Sequence, residues 1–206
     1  MTQAPPERRP RLAVFCSGGG RSLQNLIDRS SRRGAESARL DAEIAAVVAS
    51  RPCGAEERAD AAGLALVRAY GRVEPDRLRD LVAEHAVDLV VLAGYLRLLP
   101  VPAELRGRVI NIHPALLPPL GRAEFGGRGM HGLAVHWRVL EAFHAGEVTR
   151  SGCTVHHASD EYDTGEVVLQ RSCPIEPGDT PATLAARVFD LELDALPDAI
   201  RTVLGR

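Results

Sequence analysis

The stretch Val109–Pro118, VINIHPALLP, sets a polar Asn111 and an ionisable His113 into a hydrophobic run that ends on proline. In an extended segment, residues i and i+2 project to the same side. An amide donor and an imidazole aimed together into a cleft can bind a carbonyl oxygen whose charge grows as a tetrahedral intermediate forms. Histidine can carry a proton at neutral pH, and Pro114 stiffens the chain directly after it. A satisfied core histidine beside an asparagine turn is the plain alternative. Further on, DEYDTGEV places Asp160, Glu161 and Asp163 in a turn. A carboxylate there would raise the histidine pKa and fix its orientation. For Asp160 and Glu161 a solvated turn is the preferred reading.

A second candidate is SGGGRS, Ser17–Ser22. Glycines let backbone approach a ligand, and a helix N-terminus offers unpaired N–H groups and partial positive charge to a phosphate. A tight turn that binds nothing is the alternative here. The spacing does not match the dinucleotide fingerprint, since counted from Gly19 the last glycine position holds Gln24. The Gly-Lys-Ser/Thr of a P-loop is missing as well. A monophosphate fits better than a dinucleotide.

These residues need a frame. RLAVFC (Arg11–Cys16), EIAAVVAS (Glu43–Ser50), LALVRAY and DLVVLAG (Asp88–Gly94) are short apolar runs, the pattern of strands covered on both faces. Between them, SLQNLIDRSSRR and PCGAEERADAAGL predict helices, and Pro75 opens another that runs to about Glu84. Strand and helix alternating in this rhythm indicate a parallel sheet wound by helices. In the second half VINIH is a short strand and HWRVLEAFHAG an amphipathic helix. TRSGCTVHHAS and EVVLQRSCPI suit a hairpin-like pair, and PATLAARVFDLELDALPDAIRTVL a closing helix with a possible break at Pro197. The Pro/Gly-rich segment Pro118–Gly132 is the longest expected structureless stretch, and a loop of that length is usually functional or disordered. The fold class that results is α/β: a single domain with a Rossmann-like, mostly parallel sheet flanked by helices, and a smaller C-terminal part completing the sheet. In such sheets ligands sit at the carboxyl ends of the strands. SGGGRS, AGYLRLLP and NIHP all follow strand ends, so they are expected to share one crevice.

Bulk properties agree. A length of 206 residues suits one domain, with residues 1–10 expected as a disordered lead-in and residues 11–206 folded. A net charge of −2 gives no general attraction for nucleic acid or membrane. All 25 basic residues are arginine, which removes every lysine-based mechanism. Cys16, Cys53, Cys153 and Cys173 lack C-x-x-C spacing, so neither a metal site nor a disulfide framework is expected. MTQAPPERRPR has no apolar run after its basic residues, so a cytoplasmic location is expected.

The combination SGGGRSLQNL, LAGYLRLL, NIHPALLP, FGGRGMHGLAVH and SGCTVHHASDEYDTGEVVLQR resembles the phosphoribosylglycinamide formyltransferase family, from about Arg11 to Glu192. The N-I-H-P-x-L-L-P motif is shared by folate-dependent formyltransferases, and the glycine loop and compact length resemble the glycinamide ribonucleotide branch. The resemblance implies a formyltransferase domain that takes a formyl group from 10-formyltetrahydrofolate as cosubstrate, without a metal, in purine biosynthesis. By position it assigns Asn111, His113 and Asp163 to catalysis, Gly19, Gly20, Arg21, Ser22 and Glu192 to the ribonucleotide, and Leu96, Arg97, Leu98, Leu99, Asn111 and Arg72 to the folate. It implies small-molecule substrates, no nucleic acid or membrane partner, and a monomer or homodimer. Arg21 and Ser22 depart from the serine or threonine and asparagine usual at the loop's end, and Leu193 from a usual histidine. Formyltetrahydrofolate hydrolase and a non-catalytic nucleotide-binding module are the alternatives. Methionyl-tRNA formyltransferase is a poorer match, because the basic C-terminal tRNA-binding domain of that family is not expected here.

Overall fold

In a computed structural model that describes residues 8–31 and 39–205, seven strands form one sheet in the order β3-β2-β1-β4-β5-β6-β7. The runs predicted as buried strands form its parallel part: β1 (Arg11–Cys16), β2 (Glu43–Ala49), β3 (Leu66–Arg68), β4 (Leu89–Leu92) and β5 (Val109–His113). The expected hairpin is β6 (Arg150–His157) and β7 (Val167–Pro174), antiparallel to each other, with β6 antiparallel to β5.

Along β1 the side chains alternate between two cores. Leu12, Val14 and Cys16 join Leu23 and Leu26 of α1 (Arg21–Ser30) and Leu184 and Val188 of α5 (Pro181–Leu204). Ala13 and Phe15 join Leu78 and Leu81 of α3 (Pro75–Glu84), with Tyr95 and Leu99. A sheet buried on both faces has no polar face to show, which is why β1, β2 and β4 are nearly continuous apolar runs. Helix α2 (Gly54–Ala61) packs on β2, and α4 (Leu133–His144) packs on α5 and begins three residues before the expected HWRVLEAFHAG. No described helix is long and apolar enough to cross a membrane.

Three expectations are corrected. Arg8–Pro10 are anchored: Arg8 pairs with Asp88 at 2.9 Å, Arg9 donates to Ala42 O at 2.6 Å, and Pro10 O accepts from Glu43 N. Residues 1–7 of the expected lead-in lie outside the described residues. Pro197 does not break α5, which runs through it as one helix of 24 residues. Proline cannot donate to the carbonyl four residues back. That carbonyl, Leu193 O, accepts instead from Asn25 Nδ2 of α1 at 2.7 Å, so it keeps a donor. Finally, the stretch Pro118–Gly132 contains a 3-10 turn at Ala123–Phe125, and Phe125 is buried in the core.

The sheet order reverses between β1 and β4. The loops after β1, β4 and β5 therefore open at adjacent strand ends, where open α/β sheets bind ligands.

Candidate active site

Asn111 and His113 both point out of the carboxyl end of β5. The antiparallel register of β6 sets His156 opposite Asn111 and Thr154 opposite His113. Thr154 anchors the chain that follows: its hydroxyl donates to Ala115 O at 2.8 Å and accepts from Leu117 N at 3.0 Å. Asp163 arrives from the β6–β7 connection, in the left-handed region at φ 58°.

The contacts among these groups define their roles. Asn111 Nδ2 lies 3.1 Å from His156 Nε2 and 3.2 Å from Asp163 Oδ1. Asp163 Oδ2 accepts from Gly127 N at 2.9 Å. His113 is 3% exposed, and its Nε2 lies 2.7 Å from Phe125 O. A carbonyl can only accept, so Nε2 carries the hydrogen. In the neutral ring Nδ1 is then a free base, 3.6 Å from Asp163 Oδ1.

Electrostatics favours that neutral ring. Burial pushes the His113 pKa below its usual value, and a neighbouring His156 acts the same way; Asp163 and the Phe125 carbonyl pull upward without winning. Asp163 thus acts upward as expected, but burial outweighs it and the net shift of His113 is downward. For Asp163 burial pushes upward, but bonding from His156, the His113 charge and Gly127 N–H outweigh it and keep the carboxyl below its usual range.

The glycine loop has its acceptors turned away. Ser17 O accepts from Arg51 Nε at 2.6 Å, Gly18 O from Ala55 N at 3.2 Å, Gly19 O from Arg58 Nε at 2.8 Å and Gly20 O from Gln24 N at 2.9 Å. The N–H groups of Gly19–Ser22 bond to no acceptor among the described residues, so the start of α1 has free donors of the kind that can take an anion.

The segment after β4 is pinned twice. Leu96 N donates to Ser17 Oγ at 3.0 Å and Leu98 N to Tyr162 Oη at 2.8 Å. The loops after β1, β4 and β5 and the β6–β7 connection together line one cleft of about 420 Å³, a volume suited to small organic ligands. Gly19, Gly20, Arg21, Ser22, Leu96, Arg97, Leu98, Leu99, Asn111, His113, Asp163 and Glu192 all border it. Arg72 does not; it pairs with Glu74 at 3.2 Å on the surface. Asp160 and Glu161 are exposed; Asp160 pairs with Arg106 at 3.5 Å, whereas Glu161 borders the cleft as well, which a purely solvated turn does not account for. Sequence reasoning missed His156, the Phe125 carbonyl, Gly127 N–H and Tyr162. Of these only His156 leaves a trace, an ionisable side chain inside the TVHH strand.

His136 of α4 is 3% exposed with its Nδ1 unpartnered among the described residues, and burial, with the nearby His113 adding to it, lowers its pKa from 6.5 to about 4. A base depressed in the folded state adds stability above its unfolded pKa and loses it as pH falls toward the folded value. Glu192 shifts the other way, from 4.5 to about 7, chiefly through burial, so its contribution is lost as pH rises across that range. The difference in Tm between the His136→Leu protein and its parent isolates the histidine. That difference should move in favour of the variant as pH falls from 6.5 to about 4. A difference that stays constant with pH would clear His136 of any role in acid sensitivity.

Residues 10–200 match the formyl transferase family. The chain is 35% identical over 195 residues to the chloroplastic phosphoribosylglycinamide formyltransferase of Arabidopsis thaliana, covering 90% of this chain but 62% of that protein. The chain thus spans less than two thirds of that relative's length. It is 33% identical over 209 residues to the phosphoribosylglycinamide formyltransferase of Haemophilus influenzae, covering 93% of this chain and 85% of that one. Among solved structures, glycinamide ribonucleotide transformylase 1 from Geobacillus kaustophilus superposes with a TM-score of 0.76 at 31% identity, covering 96% of this chain and all of that one.

Proposed function

The chain belongs to the formyl transferase family, and from that premise we propose that it moves the formyl group of 10-formyltetrahydrofolate to the amine of 5′-phosphoribosylglycinamide. The products are formylglycinamide ribonucleotide and tetrahydrofolate, in purine biosynthesis. The observation that carries this reading is the meeting of Asn111, His113 and Asp163 in the same cleft as the anion-binding loop.

The cleft's parts divide the work. The N–H groups of Gly19–Ser22 hold the phosphate, and Glu192 accepts from the ribose hydroxyls. Leu96, Leu98 and Leu99 offer apolar surface to the folate rings, and Arg97 a cation to an acidic tail; Arg72, on the surface, is left out. The formyl donor supplies an electrophilic carbon on a nitrogen that can leave. As the new C–N bond forms, Asn111 turns one N–H from His156 to the formyl oxygen and steadies its growing charge. His113 Nδ1 takes the proton of the attacking amine. Asp163 stabilises the resulting imidazolium, which passes the proton to the departing folate nitrogen as the old C–N bond breaks. Neutral His113 is the correct resting state for this sequence of steps.

The test is an assay with 10-formyltetrahydrofolate in the presence and absence of glycinamide ribonucleotide. Tetrahydrofolate should appear only when the amine is present. Deformylation at the same rate without it would overturn transfer in favour of hydrolysis.

The glycine loop gives a second check. Gly20 sits at φ 71°, and a Cβ there would meet Ala55 Cα at 2.8 Å. Gly20→Ala should therefore destabilise the whole fold, by at least about 1 kcal/mol from the left-handed backbone alone. Gly19 has open space around a new Cβ and borders the cleft. Gly19→Val should keep the parent Tm, raise the KM for the ribonucleotide about tenfold or more, and leave folate-analogue affinity near that of the parent. An unchanged ribonucleotide KM would remove the phosphate from this loop.

A further inference from the structure

Arg21 is the first residue of α1, directly after the left-handed Gly20. Its guanidinium carbon lies 3.5 Å above the ring of Phe189 on α5. Beyond that stacking, Arg21 makes no hydrogen bond or ion pair to a protein group among the described residues, so its five N–H donors stay available. Glu192 stands three residues after Phe189, on the same face of α5. It too borders the cleft and accepts no hydrogen bond from a described residue, and burial raises its pKa to about 7 with Arg21 drawing it down. Two polar groups of opposite kind thus face one space with their bonding capacity unspent. A ligand that satisfies both has an anion on the Arg21 side and hydroxyl groups on the Glu192 side.

The backbone nest of the loop does not choose among anions, because N–H groups accept a carboxylate, a sulfate or a phosphate alike. A guanidinium adds what the nest lacks, a full positive charge on a fork that takes two oxygens at once, so it favours a phosphate-monoester dianion over a singly charged or neutral group. Stacking on an aromatic ring holds that fork in one plane and reduces the rotamer freedom lost on binding. We propose that Arg21 is the specificity-determining cation for a phosphate-monoester dianion in this cleft, and that Phe189 is the residue that positions it. The inference rests on the reading of the cleft as a ribonucleotide site and names how this chain selects the phosphorylated substrate over its unphosphorylated riboside.

The experiment separates the two ideas. Ribose 5-phosphate is titrated into the parent protein and into Arg21→Gln, Arg21→Lys, Phe189→Leu and the double variant Arg21→Gln with Phe189→Leu, by calorimetry and without folate. Ribonucleotide KM and kcat are measured in parallel. Arg21→Gln should weaken ribose 5-phosphate about ten- to a hundredfold, the span for one charge-assisted contact. Its effect on transfer should fall on KM, with kcat near the parent value. Arg21→Lys should restore part of the binding, because an ammonium keeps the charge and loses the fork. Phe189→Leu should weaken binding about two- to tenfold in the parent and not at all once Arg21 is glutamine. Parent-like binding by Arg21→Gln, or a Phe189 effect of equal size in both backgrounds, overturns the proposal. If the parent transfers formyl while Arg21→Gln binds normally, this inference fails alone. If the parent transfers none while Arg21→Gln still loses ribose 5-phosphate, the phosphate cation stands and the transferase reading falls.

Discussion

Replacing His113 with Ala lowers kcat about 10²–10⁴-fold, the range for loss of a general acid–base group, while the affinity for a folate analogue stays close to that of the parent. Its ring is fixed at one edge by the Phe125 carbonyl and offers Nδ1 at the other, so it has a single free basic atom. The apolar part of the cleft comes from Leu96–Leu99, on a different segment. Steady-state kinetics with a ligand titration reads the two effects separately, once a melting curve shows that the cavity left behind has not unfolded the variant. Near-normal turnover would assign the ring to packing.

Asp163→Asn is the second large effect, with kcat again falling about 10²–10⁴-fold. Asparagine tolerates the left-handed region better than other residues with a Cβ, so the backbone at φ 58° survives the change. The electrostatics does not. Oδ1 faces the Asn111 amide and Oδ2 accepts from Gly127 N. A carboxamide has one acceptor atom for these two sides, so whichever way it turns, a donor faces its NH₂ group. The lost negative charge also stops opposing burial, so the His113 pKa falls further below its ordinary value. If the neutral base is the active form, as proposed, the acid limb of the kcat/KM profile should move to lower pH as its height drops. A profile that falls without moving would restrict Asp163 to geometry; a move to higher pH would contradict the assigned resting state of His113.

Much of this was open to inspection in the sequence, for definite reasons. β1, β2 and β4 are legible because a strand covered on both faces carries no polar alternation. The shared crevice is legible because loops at strand ends of a parallel sheet open on one edge. Asn111 and His113 stand out as polar interruptions of an apolar run. The third group beside Asn111 does not. His156 reaches it only through the β5–β6 register, across 45 positions of chain that carry no periodic mark of their alignment. The charge state of His113 was also hidden. A carboxylate in the sequence suggests an imidazolium, but at 3% exposure desolvation outweighs a carboxylate 3.6 Å away. The backbone partners, Phe125 O and Gly127 N, have no side-chain signature, so the segment holding them looks structureless until its turn is seen.

Pro197 has a consequence beyond the continuity of α5. By withholding one donor it frees the Leu193 carbonyl, and the donor that takes its place belongs to α1, the helix that starts directly after the glycine loop. Arg29 reinforces the joint, reaching Asn25 Oδ1 at 3.1 Å and Asp194 at 2.5 Å. Glu192 is the residue next to that carbonyl, and Phe189 lies one turn earlier. The two sides of the proposed ribonucleotide site are therefore joined to each other through protein contacts alone. In thermodynamic terms the site is preorganised: binding orders little that is not already ordered, and more of the contact energy remains as affinity.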